Sequence, residues 1–472
     1  MIFFILGLSL FGGGLAFVLP KNGMRNGVLV CVALVHLLCM ASFWIIPLPD
    51  VRGSFLALDQ LGLLVLSVVS TLFFVVSIYA VGYFRGEANK SNRMLIGCLL
   101  CFLFSMTLVT VSQHLGLFWV AIEATTLASA PLINLQRARQ GFEATWKYLM
   151  ICSVGIALAL LGTFFLAISA IGFKTLLLRD LLSHAVSFSV PWLKLSVIFS
   201  LVGYGTKMGL APMHTWLPDA HSEAPSPISA LLSGALLNCA FLGILRIGQV
   251  CNAAGQGSFF GSMLTLLGLI SMGVAAVFIS GQSDYKRMLA YSSVEHMGIL
   301  AVGIGVGGMG LYGSFFHMVN HAFTKGMLFM TAGNLYQYYH TKRSRDVTGV
   351  LRTYPWTGGL LTVGFLAITG MPPFGTFLSE IQILSAAVDQ RHYGVAFFYL
   401  LFLALIFVSM ATIVLRMVQG MPRQACAPKK NRESILAVVP PLFLALIVLM
   451  LGLYVPPFLD GAFKEASQLL GS

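Results

Sequence analysis

Long, continuously apolar runs recur along almost the whole chain, and this one feature leaves few folds open. They fall near residues 2–20, 28–48, 56–84, 94–112, 115–135, 144–172, 190–217, 226–248, 258–281, 288–306, 310–339, 355–388, 393–420 and 435–458. A helix of about 20 apolar residues crosses the hydrocarbon of a bilayer. Lipid offers no partner to backbone N–H and C=O groups, so each run has to satisfy its own as a helix. Strands of a membrane barrel alternate apolar and polar residues, which these runs do not. With 58% hydrophobic and 9% charged residues among 472, the sequence predicts an all-α polytopic membrane protein of about 14 transmembrane helices. Met1 to Phe11 lacks the basic segment of a cleavable signal, so the first run is expected to be a span.

The formal charge of +12 carries orientation and does not point to nucleic acid. Of the 28 Lys and Arg residues, nineteen follow odd-numbered runs, seven lie on the other side, and Lys207 and Lys325 lie inside runs. Cytoplasmic loops hold the excess of basic residues. Both termini are therefore expected outside.

Two runs are interrupted. The seventh carries Lys207 and then breaks across Gly209, Pro212 and Pro218, and the twelfth breaks at Gly370-Met371-Pro372-Pro373-Phe374-Gly375. Proline removes a backbone donor and clashes with the preceding turn. Broken helices in corresponding positions of two halves point to inverted repeats. The breaks are five runs apart, an odd number, so units of helices 4–8 and 9–13 have opposite orientations. The expected division is 1–93 for the first three helices, 94–248 and 249–420 for the repeats, and 421–472 for the last helix and a tail.

Ionisable groups inside the runs are few, and they cluster in kind. Glu123 lies mid-way along the fifth run and Lys207 just before the first break. His317, His321 and Lys325 recur every four residues on the eleventh run, with Asn320 adjacent, and Glu380 follows the second break. A lysine in a membrane-length segment costs about 2.5–3.5 kcal/mol on insertion scales, so it usually faces a partner or a wet cavity. A lone lysine near a helix end can instead snorkel to the interface, and a lone histidine can be a satisfied core residue. Glu and Lys in low dielectric shift each other's protonation, and histidine titrates nearest neutrality. Positions i, i+4 and i+8 share one helix face, so the histidine row is suited to passing protons between the broken helices. His214 and His221, beside the first break, are secondary candidates, as is Glu295. Glu295 and His296, near the start of the tenth run, read as membrane-interface residues.

Two motifs are set aside. Gly305-Val306-Gly307-Gly308-Met309-Gly310 fits GxGxxG, but no strand precedes it and it falls between spans, so it reads as a connector. Cys98-Leu99-Leu100-Cys101 fits CxxC inside an apolar run with no second pair, and the eight cysteines read mostly as packing residues. No metal site and no cofactor are expected in this chain.

Five stretches now carry a resemblance: Glu123 with Trp119; Gly205-Thr206-Lys207 through Trp216-Leu217-Pro218-Asp219-Ala220-His221; Glu223 through Leu232; Asp284 through Ser293; and His317 through Lys325. In this order they resemble the antiporter-like subunits of respiratory complex I, Mrp cation/proton antiporters and membrane-bound [NiFe] hydrogenases. The match runs over helices 4–13. Glu123 through Ser129 and Leu231 through Ala240 look most similar to the component F type of hydrogenase-4 and formate hydrogenlyase complexes.

The resemblance implies fourteen helices with two inverted five-helix repeats and a role in proton translocation within a redox complex of a bacterial or archaeal cytoplasmic membrane. Glu123 and Lys207 would be the pair of the first half, Lys325 the central lysine, His317 and His321 relay groups, and Glu380 the exit-side group. Other membrane subunits and a cytoplasmic redox arm would be the partners, with iron–sulfur clusters and the [NiFe] centre in those other subunits. One departure matters: many relatives place lysine or histidine where this chain aligns Asn238, so the resemblance does not carry direct lysine-to-lysine transfer over to it. A complex I subunit, an Mrp-type sodium/proton antiporter subunit and a non-conducting spacer remain alternatives.

Overall fold

The computed structural model describes residues 1–471 except 47–53, 88–90, 136–138, 171, 173–174 and 422–432. Arg52, Lys90, Arg137, Lys174, Arg423, Lys429, Lys430 and Arg432, counted in the charge sorting, lie outside the described residues. Helices α1 (Ile2–Val18), α2 (Asn22–Ser42) and α3 (Gln60–Tyr83) come first, then α4 (Arg93–Val111), α5 (Leu115–Ile133) and α6 (Arg139–Ser169). A short α7 (Leu178–His184) precedes the seventh run, which divides into α8 (Val190–Met208) and α9 (Trp216–Glu223). Next, α10 (Ser226–Leu231) passes through a π turn at Leu232–Leu236 into α11 (Leu237–Ala253). Then come α12 (Gly257–Ile279), α13 (Tyr285–Val306), α14 (Met309–Tyr339) and the single turn α15 (Val350–Thr353). The twelfth run divides into α16 (Pro355–Ile368) and α17 (Gly375–Asp389), followed by α18 (Tyr393–Val418), α19 (Ile435–Leu453) and α20 (Pro457–Gly471).

Among the described residues, ten helices are long and apolar enough to cross a membrane, and α1 and α16 are shorter apolar helices. Their outward faces carry large apolar side chains, such as Phe3, Phe11, Val277 and Phe397, that water would not favour but lipid accepts. The two breaks use one device. Gly209, at φ 87°, caps α8 and donates to Gly205, and Leu210 donates to the same carbonyl before Pro212 interrupts the ladder. Gly370, at φ 63°, ends the α16 side, Met371 donates to Leu366, and two prolines follow before α17. Positive φ is open to glycine at little steric cost. The GxGxxG stretch is, as expected, a connector, with Gly307 and Gly308 both at positive φ between α13 and α14.

Buried at the centre are α10–α11, the middle of α13 and most of α14. Both halves lean on α3. Arg246, on α11, binds Asp59 bidentately at 2.5 and 2.6 Å, just ahead of α3, while Tyr79, on α3, donates to Met330 O and Asn334 Oδ1 of α14 at 2.8 and 3.0 Å. The expected tail is instead the helix α20. Ala462, Phe463, Ala466 and Leu470 form its buried face against α14, α11 and α3, and Phe463 meets the rings of Tyr312 and Phe316. Its apolar residues fall at helical spacing, a pattern too short to read as another span.

Candidate functional site

Lys207 occupies the last turn of α8 and is fully buried. Its Nζ donates to Thr126 Oγ1 at 2.8 Å and to Tyr148 OH at 2.7 Å, and it lies 4.5 Å from the centroid of the Tyr148 ring. An aromatic face attracts a desolvated ammonium by about 2 kcal/mol. Trp216 closes the cage from α9, its ring 5.0 Å from that of Tyr148 and its Nε1 donating to Thr206 O. Glu123 is half-buried on α5. Its carboxylate accepts from Ser153 Oγ at 2.7 Å and from Thr126 Oγ1 at 3.3 Å. Glu123 and Lys207 therefore form no direct ion pair. Thr126 stands between them, accepting from the ammonium and donating to the carboxylate, so the two groups are joined through one hydroxyl.

Lys325, fully buried on α14, turns toward α13, where it donates to Leu289 O at 2.7 Å and to Ser292 Oγ. His317 and His321 stack nearly parallel on the same face with ring centroids 6.4 Å apart. The two rings and Lys325 lie on one buried face of α14, one turn apart in succession. A third imidazole joins it from α13: His296 Nδ1 is 2.9 Å from His317 Nε2, and its ring centroid is 5.1 Å from that of His321. On the far side, His317 Nδ1 is 2.9 Å from Ser379 Oγ, whose hydroxyl donates to Thr376 O. Ser379 therefore accepts from His317 Nδ1–H, which leaves Nε2 of a neutral His317 to accept from His296 Nδ1–H. A chain of donors runs His296 to His317 to Ser379 across α13, α14 and α17.

Glu380 sits one residue beyond Ser379, 7% exposed. Its Oε2 packs so closely on Gly370 that a Cβ there would lie 2.0 Å away. A side chain there would push the carboxylate aside, and the positive φ of Gly370 favours glycine in any case. One nitrogen each of His296 and His317 and a Glu380 oxygen lie within 4.8 Å of one another. Several buried polar atoms nearby have no hydrogen-bond partner among the described residues: His296 Nε2, both ring nitrogens of His321, Asn320 Oδ1 and Glu380 Oε1. Buried polar atoms are paired in folded proteins or meet water, so this set marks a polar interior.

Between the lysines lies the π turn. Asn238, the second residue of α11 and two beyond the π turn, is fully buried. Its amide donates to Gly234 O at 2.7 Å and its Oδ1 has no partner among the described residues. Ser233, inside the π turn, bonds Ser293 of α13 at 2.8 Å. His221 on α9 stacks on Phe329 with centroids 4.9 Å apart, and both its ring nitrogens are unpartnered among the described residues. His214, 7% exposed, faces Tyr291 with centroids 6.1 Å apart and leaves Nδ1 unpartnered. π turns interrupt the helical ladder and often mark functional sites.

Above the C-terminal end of α9 opens a polar cavity of about 920 Å³. Lys147 and Arg287 pair with Asp219 at 3.1 and 2.6 Å, and Lys342 pairs with Glu223 at 2.9 Å. Lys286, buried at its base, donates to the carbonyls of Ala224 and Ser222 at 2.5 and 3.4 Å. Those carbonyls belong to the end of the half-helix that carries His221.

The structure gathers Glu123 and Lys207 into one cluster and His317, His321, Lys325 and Glu380 into another. Glu295 and His296 are not interface residues. Asp284 caps α13 through the amides of Lys286 and Arg287, which sets both residues three turns into the helix, 3% and 0% exposed. The cap was the overlooked signal. His296 is named in the sequence reading only as an interface residue, and Thr126, Ser153, Tyr148 and Ser379 are not singled out there as site residues. Of these, a tyrosine and a histidine in apolar runs carry polar tips that need partners when buried, whereas hydroxyls in helices commonly satisfy themselves on the preceding turn.

Residues 112–406 match the family described as NADH:quinone oxidoreductase/Mrp antiporter, TM. The chain is 36% identical over 436 residues to a hydrogenase-4 component F homolog of Methylacidiphilum infernorum (isolate V4), covering 89% of this chain and 90% of that one. It is 32% identical over 343 residues to hydrogenase-4 component B of Escherichia coli (strain K12), covering 69% of this chain and 50% of that longer protein. A chain in the structure of the membrane-bound sulfane sulfur reductase, an archaeal respiratory membrane complex, shares its fold, with a TM-score of 0.90 at 21% identity over 100% of this chain and 98% of that one. The chain is a multi-pass, antiporter-like membrane subunit and belongs to the NADH:quinone oxidoreductase/Mrp antiporter family.

Proposed function

We propose that this chain translocates protons as a membrane subunit of a redox-driven complex of the hydrogenase-4 or formate hydrogenlyase type. The observation that carries the reading is the pair of buried lysines, one reaching Glu123 through Thr126 and the other on the helix face that carries His317 and His321, beside an imidazole cluster within 4.8 Å of Glu380. Protons would enter from the cytoplasm through the charged cavity at Lys286 and His221, and also reach Lys207. They would cross the π turn by way of His221, Asn238, Ser233 and bridging water, then leave along Lys325, His321, His317 and Glu380. In this arrangement Asn238 cannot titrate, so water and His221 take over what a lysine does there in relatives.

The proposed architecture has fourteen spans. The ten apolar helices are joined by α1, α8–α9, α14 and α16–α17; the last three carry the ionisable groups or breaks that lower their hydropathy. Matching neighbour pairs support inverted repeats: α4 with α5, α5 with α6 and α6 with α8–α9 in the first, and α12 with α13, α13 with α14 and α14 with α16–α17 in the second. The proposed boundaries are those expected above, 94–248 and 249–420. Basic residues after the fifth, ninth and eleventh spans share the one cavity, which supports their lying on one side, here taken as cytoplasmic, with both termini outside. Other subunits would supply the redox arm, its iron–sulfur clusters and the [NiFe] centre.

The test is reconstitution of the complex in liposomes. Lys207→Ala or Lys325→Ala is expected to cut protons moved per electron by about tenfold or more while electron transfer stays measurable. Pumping at the unaltered ratio refutes the reading. Sodium-dependent pH changes that vanish in Glu123→Gln would favour antiport. Full coupled turnover with Glu123, Lys207 and Glu380 all neutralised would favour a spacer.

A further inference from the structure

The second-half cluster also has the donor set of a transition-metal site. We propose that His296, His317 and Glu380, with His321 in reach as a fourth ligand, bind one divalent cation of the zinc class, and that its binding blocks the histidine chain. Two imidazoles and a carboxylate from three helices are brought within 4.8 Å of one another, fully or nearly buried. Zinc takes such nitrogen and oxygen ligands at about 2.0–2.1 Å, which sets neighbouring ligand atoms about 3.3 Å apart in a tetrahedron. His296 Nδ1 and His317 Nε2, at 2.9 Å, are already that close. The wider separation has to close, and the Glu380 carboxylate is the group with freedom to do so, since Oε1 has no partner among the described residues.

Two independent features favour a ligand over a purely internal network. Ser379 accepts from His317 Nδ1–H, which fixes the ring and presents the Nε2 lone pair inward, as an outer-shell partner does for a metal-ligating histidine. Both nitrogens of His321 are buried without partners among the described residues, so a donor atom remains for a fourth bond, and the unpartnered His296 Nε2 can hold the proton that leaves Nδ1. Binding requires only that the proton between His296 and His317 move to the other nitrogen of the His296 ring, and that Glu380 be ionised. Imidazole lone pairs held by a metal cannot accept protons, so occupancy and proton transfer exclude each other.

The site can be tested apart from proton transport; only the blocking rests on the function proposed above. The full-length chain, purified without a histidine tag in detergent and stripped with a chelator, is titrated with Co²⁺ and with Zn²⁺. The expected result is one equivalent bound after desalting, with the intense visible absorption of low-symmetry, four-coordinate Co²⁺. His296→Gln and Glu380→Gln, each checked for a monodisperse, helical protein, should weaken binding at least about tenfold. His321→Gln should leave one equivalent but change the Co²⁺ spectrum. No saturable equivalent, or wild-type affinity in folded His296→Gln and Glu380→Gln, overturns the site. In the reconstituted complex, Zn²⁺ at the concentration that loads the chain should cut proton movement at least about tenfold and a chelator should restore it. Undiminished proton movement with the metal bound overturns the blocking while leaving the site standing. Failure of the lysine variants to alter pumping, by contrast, refutes the transport reading alone.

Discussion

Lys207 and Lys325 are both fully buried lysines, yet their surroundings differ in kind. Lys207 is caged by hydroxyls and rings, its ammonium shared between Thr126 and Tyr148 and covered by the Tyr148 face. Lys325 donates to a carbonyl and a serine, and the imidazoles of His321 and His317 follow on the same buried face of α14, joined by His296. A carbonyl can only accept and a tyrosine hydroxyl gives up its proton reluctantly, whereas a neutral imidazole donates on one side and accepts on the other. On the function proposed above, the first half would hold a charge and gate its release, and the second would pass it on.

The halves also differ in how they are tied to α3, and here the largest effect is expected. The first half uses the Arg246–Asp59 pair, with Arg246 1% and Asp59 20% exposed; the second uses the neutral bonds of Tyr79. Removing one partner of a buried ion pair costs about 3–5 kcal/mol, so Asp59→Asn should destabilise the protein by about 3 kcal/mol. Tyr79→Phe should cost about 1–2 kcal/mol. Thermal unfolding in detergent measures both. Burial pushes the Asp59 carboxyl up, but the Arg246 guanidinium and the Gly62 amide outweigh it and hold the carboxyl below its ordinary value. A depressed carboxyl contributes stability that is complete above its unfolded pKa, near about 3.9, and is lost as pH falls through the lower folded value. The Asp59→Asn difference should therefore be flat from about pH 5 to 8 and shrink only in stronger acid.

Next comes the contrast between column and cage. His317→Gln keeps hydrogen-bonding capacity but removes a titrating ring from the chain, so proton movement in the reconstituted complex should fall at least about tenfold. Tyr148→Phe keeps the ring over Lys207 and leaves Thr126 in place. It should lower proton movement only about threefold, the equivalent of losing one bond of modest net strength. Equal losses in the two variants would erase the distinction between a gate and a conductor.

How far this contrast could be read from the sequence depends on the group. The breaks at Gly209 and Gly370 were legible because glycine and proline act locally on the backbone. So were Lys207, Lys325 and the His317–His321 spacing, because charge in an apolar run is conspicuous and helical geometry fixes which positions share a face. Thr126, Tyr148 and Ser379 were not, since nothing in the chain order says that hydroxyls on α5, α6 and α17 converge on those residues. His296 was misjudged by its distance from the run's start, whereas Asp284 fixes where the helix begins. The amphipathic α20 was hidden by its brevity and polar residues, and only its packing against α14 explains it.

The finest test of the cage concerns the hydroxyl between Glu123 and Lys207. Thr126 Oγ1 accepts from Lys207 at 2.8 Å and donates to Glu123 at 3.3 Å, the longer bond being the weaker one. Thr126→Val preserves shape and removes both bonds, while Lys207 keeps Tyr148 and Glu123 keeps Ser153. With one anchor left on each side, the expected loss is about twofold in proton movement, with less than about 1 kcal/mol in stability. Thr126→Ser keeps the hydroxyl and should restore the wild-type rate. A purely structural threonine would show no such difference at equal stability between Val and Ser. If both variants pump as wild type, Glu123 and Lys207 communicate without the hydroxyl, and the gate lies instead at Tyr148 and Trp216, whose rings close over the ammonium.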